Sequence, residues 1–228
     1  MQKNNIVIFG TSKVSQLVFA YVQNDEAASL TISGFCVDAA YSNEDKLFGL
    51  PVVKFNEVAR DFPPDQYKML VAVGYHGMNT LRAQKCREAE AMGYELISYV
   101  HSKASVCATA KLGKNCIVLD NVSIEPFAEV GNNVCVYPNA TIAHHSRVLD
   151  NVWITSGTVI GGNTVVGKNC FLGINATIGH NIVIGDDNFI GAGAVVTRNT
   201  EEKSVHIVPD TPRHRLNTDQ FMKLFKFD

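Results

Sequence analysis

From Val106 onward one apolar position recurs with a period of six. Val106, Leu112, Val118, Ile124, Val130, Val136, Ile142, Val148, Ile154, Ile160, Val166, Leu172, Ile178, Ile184, Ile190 and Val196 follow one another without a miss. Small or apolar residues dominate four places after each, as at Ala110, Cys116, Val122, Ala128, Val134 and Ala140, and glycine often comes one place after. Chance does not fill sixteen successive slots with three residue types. A period of six is neither that of a helix nor that of a half-buried strand; it predicts a parallel β-helix built of hexapeptide repeats.

Before residue 102 the pattern is different. "NNIVIFG" reads as a buried strand, a helical pattern runs from about Ser12 to Val22, and "LTISGFCVD" and "VVKF" read as strands. "NEVARDF" suggests a small helix, "YKMLVAVGY" a buried strand, "TLRAQKCREAEAMG" a helix and "ELISYVH" a last strand. Strands alternating with helices predict a parallel sheet covered by helices, an α/β Rossmann-like domain. The expected organisation is thus 1–101 Rossmann-like, 102–198 β-helical, and 199–228 a tail with a short helix around "TDQFMKLF".

Composition narrows the partners. A net charge of -2 with no basic stripe argues against nucleic acid. The N-terminus shows neither signal-peptide organisation nor a run long enough to cross a bilayer, so a cytoplasmic protein with no membrane partner is expected. Cys36, Cys86, Cys107, Cys116, Cys135 and Cys170 are scattered without a C-x-x-C pair, as expected for inert thiols in a reducing compartment.

The repeat resembles the left-handed β-helix of hexapeptide acyltransferases, in which three hexads make one triangular coil; that resemblance implies that residues eighteen apart stack at one inter-strand spacing, about 4.8 Å. His144 then lines up with Gly162 and His180 at a corner. Gly162 leaves the space beside His144 uncrowded, which suits a ligand approaching along the backbone. Trp153, Phe171 and Phe189 form a second column on a flat face, and an exposed apolar ladder predicts an oligomer contact. His144 and His145 admit three readings: turn residues in solvent, part of a metal site, or a base, since an imidazole titrates near neutrality.

The hexads, "IAHHSRVLD", "GGN" at 161–163, "GKNCFLGIN" at 167–175 and "IGAGAVV" at 190–196, joined to a small nucleotide-binding-type domain, resemble hexapeptide acyltransferases. Over nearly the whole chain they look like the N-acetyltransferases of UDP-linked 4-amino sugars and the related sialic-acid O-acetyltransferases. The resemblance implies a left-handed β-helix, a homotrimer and a role in surface-glycan biosynthesis. It implies acetyl-CoA as acyl donor, a nucleotide-linked amino sugar as acceptor and no metal. His144 would be the general base. His145 stands where an acidic residue usually raises that base's strength, and is carried with it as a catalytic candidate. The resemblance places coenzyme A against Gly162, Gly173, Ile174, Gly191 and Ala192. Trp153 stands where a second histidine often meets the acyl donor, and Arg213, with Arg215, is a candidate for the 3'-phosphate.

For the nucleotide sugar, "FGTSKVS" retains Gly10 and Ser12 of the family's glycine-rich turn, while Lys13 and Ser15 replace glycines. Lys13 is a candidate for the diphosphate, and Asp38 for the ribose or base. Gly74, Tyr75 and His76 lie at a strand's carboxyl edge, where open α/β sheets bind ligands. A γ-type carbonic anhydrase-like zinc protein is an alternative: His144 and His180 have its spacing of thirty-six residues, but Gly185 replaces the third ligand. By stacking, the two histidines also lie about 10 Å apart, too far for one ion.

Overall fold

A computed structural model describes residues 4–42 and 44–224. The N-terminal half contains β1 (Asn4–Phe9), α1 (Lys13–Asn24), β2 (Leu30–Val37), β3 (Lys46–Leu47) and β4 (Leu50–Lys54). There follow α2 (Val58–Asp61), β5 (Lys68–Val71) and α3 (Thr80–Ala91). The strand order is β3-β4-β2-β1-β5, with β4, β2, β1 and β5 parallel and β3 an antiparallel edge. The first connection leaves β1 towards β2 and a later one returns to its other side. The carboxyl end of β1 is therefore the switch point at which such sheets open a crevice.

The expected last strand is divided. Leu96 makes a single parallel bridge to Met69, whereas β6 (Tyr99–Val100) pairs with Ile117–Val118. Tyr99 thereby opens the β-helix rather than closing the first sheet.

From there the hexads form three parallel sheets, each built of two-residue strands from every third hexad. Thr141–Ile142 pairs with Val159–Ile160, Arg147–Val148 with Val165–Val166, and Trp153–Ile154 with Phe171–Leu172, each partner eighteen residues on. The arrangement is a left-handed β-helix. The first hexad residue and the small fifth residue both point inward, and together they make one continuous apolar core. Where the fifth residue is polar it bonds the carbonyl of a neighbouring coil: Ser146 Oγ donates to Gly161 O at 2.8 Å and Thr164 Oγ1 to Gly179 O at 2.7 Å. These hydroxyls are fully buried, and the bonds offset their desolvation. After the last hexad the chain adds Val205–His206 beside Phe189–Ile190, and α4 (Thr218–Met222) follows with a capping box from Asn217.

Within the aromatic column Trp153 does not stand free for an oligomer contact, whereas Phe171 and Phe189 are half-buried. Trp153 is 3% exposed, in one core with Ile6 and Ile8 of β1, Val18 and Val22 of α1, and Ile117, Leu119 and Cys135 of the β-helix. The N-terminal half covers this face because apolar area is removed from water most directly within the same chain. Polar contacts fix the docking: Tyr21 Oη donates to Asp120 at 2.6 Å and Tyr99 Oη to Asp25 at 3.1 Å.

Candidate active site

Each turn between hexads places its third residue at a prism corner and its fourth in left-handed backbone. From Asn115 to Gly193 every sixth residue has positive φ, and all are Asn, Asp or Gly except Phe127 and His145. Short polar side chains and glycine tolerate that conformation best. His144 is a third-position residue and His145 a fourth, with φ of 58°.

The corner orients both rings. The His144 backbone N–H donates to the Glu125 carboxylate at 2.9 Å, and the His145 backbone N–H to Pro126 O at 3.2 Å. The rings stand nearly perpendicular, at 83°, with Nδ1 to Nδ1 at 3.2 Å. One Nδ1 must carry the proton and the other accept it. With the proton on His144, its Nε2 keeps a lone pair for an incoming N–H or O–H.

Gly162 serves this ring differently from the expectation. A Cβ built there would lie 2.8 Å from His144 Cε1 and 2.9 Å from Nε2. The space is filled by the imidazole, and the glycine is the floor on which the ring rests.

A cleft of about 920 Å³ occupies another corner. Its floor is two stacked turns, Gly173–Ile174 and Gly191–Ala192, eighteen residues apart. Gly173 is required by coil spacing, since a Cβ there would fall 2.5 Å from Ala192 N. Trp153, Phe171 and Phe189 make an aromatic wall, and Ile207 to Thr211 of the tail close one side. Tyr75 reaches across from the loop after β5, its ring 4.8 Å from Phe171 and 5.6 Å from Trp153. Burial, and secondarily Cys135, pushes the Tyr137 phenol up, so its O–H stays protonated in the cleft. Thus Trp153, Gly173, Ile174, Gly191, Ala192 and Tyr75 come together, whereas Gly162 belongs to the histidine corner. Arg213 is exposed beyond the lining segment of the tail.

The N-terminal candidates do not form one group. Gly10 has φ of 117°, and a Cβ there would meet Ser15 Oγ at 2.5 Å. Ser15 is fully buried and donates to Ala72 O at 2.9 Å, tying the start of α1 to the end of β5. Ser12 is the N-cap residue of α1 without a side-chain capping bond, and Lys13 begins the helix exposed. Beside this turn lies a hollow of about 190 Å³ lined by Thr11, Gln16, Tyr41, Glu44, Leu47 and Val52. Asp38 is elsewhere, accepting from Lys85 at 2.7 Å, and Lys85 also pairs with Glu88 at 2.8 Å. Burial alone would lower the Lys85 pKa, but the two carboxylates outweigh it and raise it. Gly74 and His76 flank Tyr75, and a Cβ on Gly74 would meet His76 Nδ1 at 3.8 Å.

Two features escape the periodicity argument. Arg82 is fully buried on α3 without a carboxylate partner among the described residues. Its guanidinium donates to Asn79 Oδ1, Asn133 Oδ1, Asn133 O and Asn151 O, and lies 5.0 Å from the Trp153 ring centre. Three of its four acceptors, Asn133 Oδ1, Asn133 O and Asn151 O, belong to an asparagine ladder, Asn115 to Asn133 to Asn151 to Asn169, which bonds side chain to side chain up the corner. The other is Phe127, whose irregularity is visible once the fourth hexad position is read as a column.

Residues 109–144 and 163–198 match the family described as bacterial transferase hexapeptide (six repeats). Both matched segments lie within the β-helix. Three solved structures extend the likeness beyond these repeats to the N-terminal half. A histidine-to-alanine variant of GDP-perosamine N-acetyl transferase from Caulobacter crescentus, in complex with CoA and GDP-perosamine, superposes with a TM-score of 0.80 at 23% identity, covering 89% of this chain and 92% of that one. The acetyltransferase domain of PglB from Neisseria gonorrhoeae FA1090, in complex with acetyl coenzyme A, gives 0.78 at 23% identity, covering 89% and 95%. WeeI from Acinetobacter baumannii AYE gives 0.57 at 18% identity, covering 89% and 96%. At these identities the likeness establishes the two-part fold. No curated protein matches the chain in sequence. Among the described residues no helix is long and apolar enough to cross a membrane, and no group of three His, Cys, Asp or Glu side chains is placed to hold a metal ion.

Proposed function

We propose that the protein is an acyl-CoA-dependent N-acyltransferase that uses acetyl-CoA to acylate the amino group of a nucleotide-linked amino sugar. The observation that carries this reading is the pair of features on the two edges of one prism face: an oriented imidazole at His144, and the aromatic-walled cleft at Ile174 and Ala192. The relatives of like fold bind CoA and GDP-perosamine, or acetyl coenzyme A, which supports both substrates.

The face between those edges carries Val159 and Val195 exposed on its outer side. We infer that this face, rather than the aromatic column, packs against a second copy in a homotrimer, so that His144 of one subunit serves the cleft of its neighbour. In that arrangement the pantetheine arm runs along the stacked turns, whose glycines let backbone amides approach it. The sugar amine, held from the N-terminal side near Tyr75, attacks the thioester carbonyl carbon. As the C–N bond forms, His144 Nε2 accepts the amine proton; the C–S bond then breaks, and the proton passes to the departing sulfur. His145 accepts the His144 Nδ1–H and holds the reactive tautomer, the part an adjacent carboxylate would otherwise take.

Incubating the protein with acetyl-CoA and a panel of nucleotide-linked amino sugars, while following free thiol, tests the proposal. His144→Asn is expected to retain the parent's melting temperature and lose roughly 10³-fold in turnover. Near-normal turnover in that variant would overturn the assignment of the base.

A further inference from the structure

Phe127 is the residue least suited to its place. It occupies the left-handed fourth position with φ of 63°, where a bulky aromatic is an outlier and the other turns between Asn115 and Gly193 use Asn, Asp or Gly, His145 excepted. It is also 54% exposed, so burial of its ring does not account for the strain. Backbone strain of this kind points to a role when the surroundings explain what it achieves.

The surroundings do so. Phe127 and His145 are eighteen residues apart, at the same corner on successive coils, with ring centres 4.8 Å apart and planes tilted by 37°. That separation lies within the range of favourable aromatic contact. The His145 ring also meets His144 at 3.2 Å, Nδ1 to Nδ1, while the Glu125 carboxylate is engaged by the His144 backbone N–H. An asparagine at 127 would suit the backbone but leave His145 without a ring to lean on. We propose that Phe127 is a positioning residue: its ring holds the His145 imidazole so that its Nδ1 faces His144, and through it fixes the tautomer of the base. This deepens the acyl-transfer reading of His144 and rests on it for its kinetic consequence.

The test compares Phe127→Asn, Phe127→Leu and Phe127→Tyr. Phe127→Asn relieves the backbone, so its melting temperature should equal or exceed the parent's while kcat falls roughly tenfold or more, with the acceptor KM changed by less than about twofold. Phe127→Leu should lose kcat similarly, and Phe127→Tyr, which keeps the ring, should return to near the parent value. A second readout needs no turnover: long-range ¹⁵N–¹H spectra of the free protein across a pH titration. In the parent the two histidines should show complementary tautomers at Nδ1, and Phe127→Asn should erase that complementarity. Unchanged histidine spectra and kcat in Phe127→Asn would overturn the proposal. So would a loss confined to KM, which would make the ring an acceptor contact. If the parent cleaves no thioester with any acceptor, the acyl-transfer reading fails, and the spectra still decide whether Phe127 orients His145.

Discussion

Gly162→Ala separates the geometry of the base from the stability of the fold. The added Cβ would stand 2.8 Å from His144 Cε1 and 2.9 Å from Nε2, against an ordinary carbon contact of about 3.6 Å. The ring must therefore move by roughly 0.8 Å, and a displacement near 1 Å in a catalytic group can reduce rate about 10²-fold. This corresponds to about 2.7 kcal/mol of lost transition-state stabilisation. The backbone has little reason to object. Gly162 is not among the residues of positive φ, and the three atoms nearest the added Cβ all belong to the His144 side chain. At the adjacent Gly161 a Cβ would instead meet the backbone N of His180 at 2.7 Å and force neighbouring coils apart. Gly162→Ala should thus keep or slightly raise the melting temperature, because alanine restricts the unfolded chain by about 0.4–1 kcal/mol. Gly161→Ala should lower it. The assay is kcat/KM by thiol release alongside calorimetry. Full activity in Gly162→Ala with an unchanged melting temperature would refute the view that this glycine seats the imidazole of a catalytic base.

Two further expectations concern the joint between the halves. Arg82→Met removes a buried cation and leaves Asn79 Oδ1, Asn133 O and Asn151 O short of a donor, so urea unfolding should show a loss of about 3–5 kcal/mol; a loss under about 1 kcal/mol would show that water replaces the guanidinium freely. For Asp25, burial opposes ionisation, but the bonds from Ser102 and Tyr99 and the proximity of His101 outweigh it and hold the carboxyl below its ordinary value. A depressed folded pKa gives stability that is present above the unfolded pKa, about 3.9, and is lost as pH falls through the folded value. The urea midpoint of the parent should therefore drop below about pH 4 more steeply than that of Asp25→Asn, and parallel acid limbs would contradict this account.

The β-helix was legible because its determinant is local and repeated. Every first-position residue, from Val118 to Val196, meets the same interior, so the period of six was readable from spacing alone, and the stacking of residues eighteen apart, implied by the family resemblance, is the register observed. That arithmetic also placed Ile174 against Ala192 and His144 against Gly162, because a coil has no freedom to slip register without turning its core outward. The column of fourth positions was equally available, and it marks Phe127 and His145 as exceptions.

Tertiary structure decided what spacing cannot carry. Trp153 was correctly placed on a flat face, yet whether that face met solvent, another copy or the N-terminal half depended on contacts with residues as distant in sequence as Ile6 and Val18. Arg82 gave no sign of burial, since its β-helix acceptors, Asn133 and Asn151, meet α3 only where the two halves dock. Asp38 stood at the expected strand end, but its ion pair with Lys85 on α3 was set by packing across the sheet. The sequence alone determined the repeat and the corners, because these depend on neighbours at fixed offsets along the chain, whereas His144 became a candidate base through the family resemblance. The covered face, the cleft beneath Tyr75 and the buried guanidinium were decided by the folded chain, because each depends on apolar area and polar partners supplied from far away in sequence.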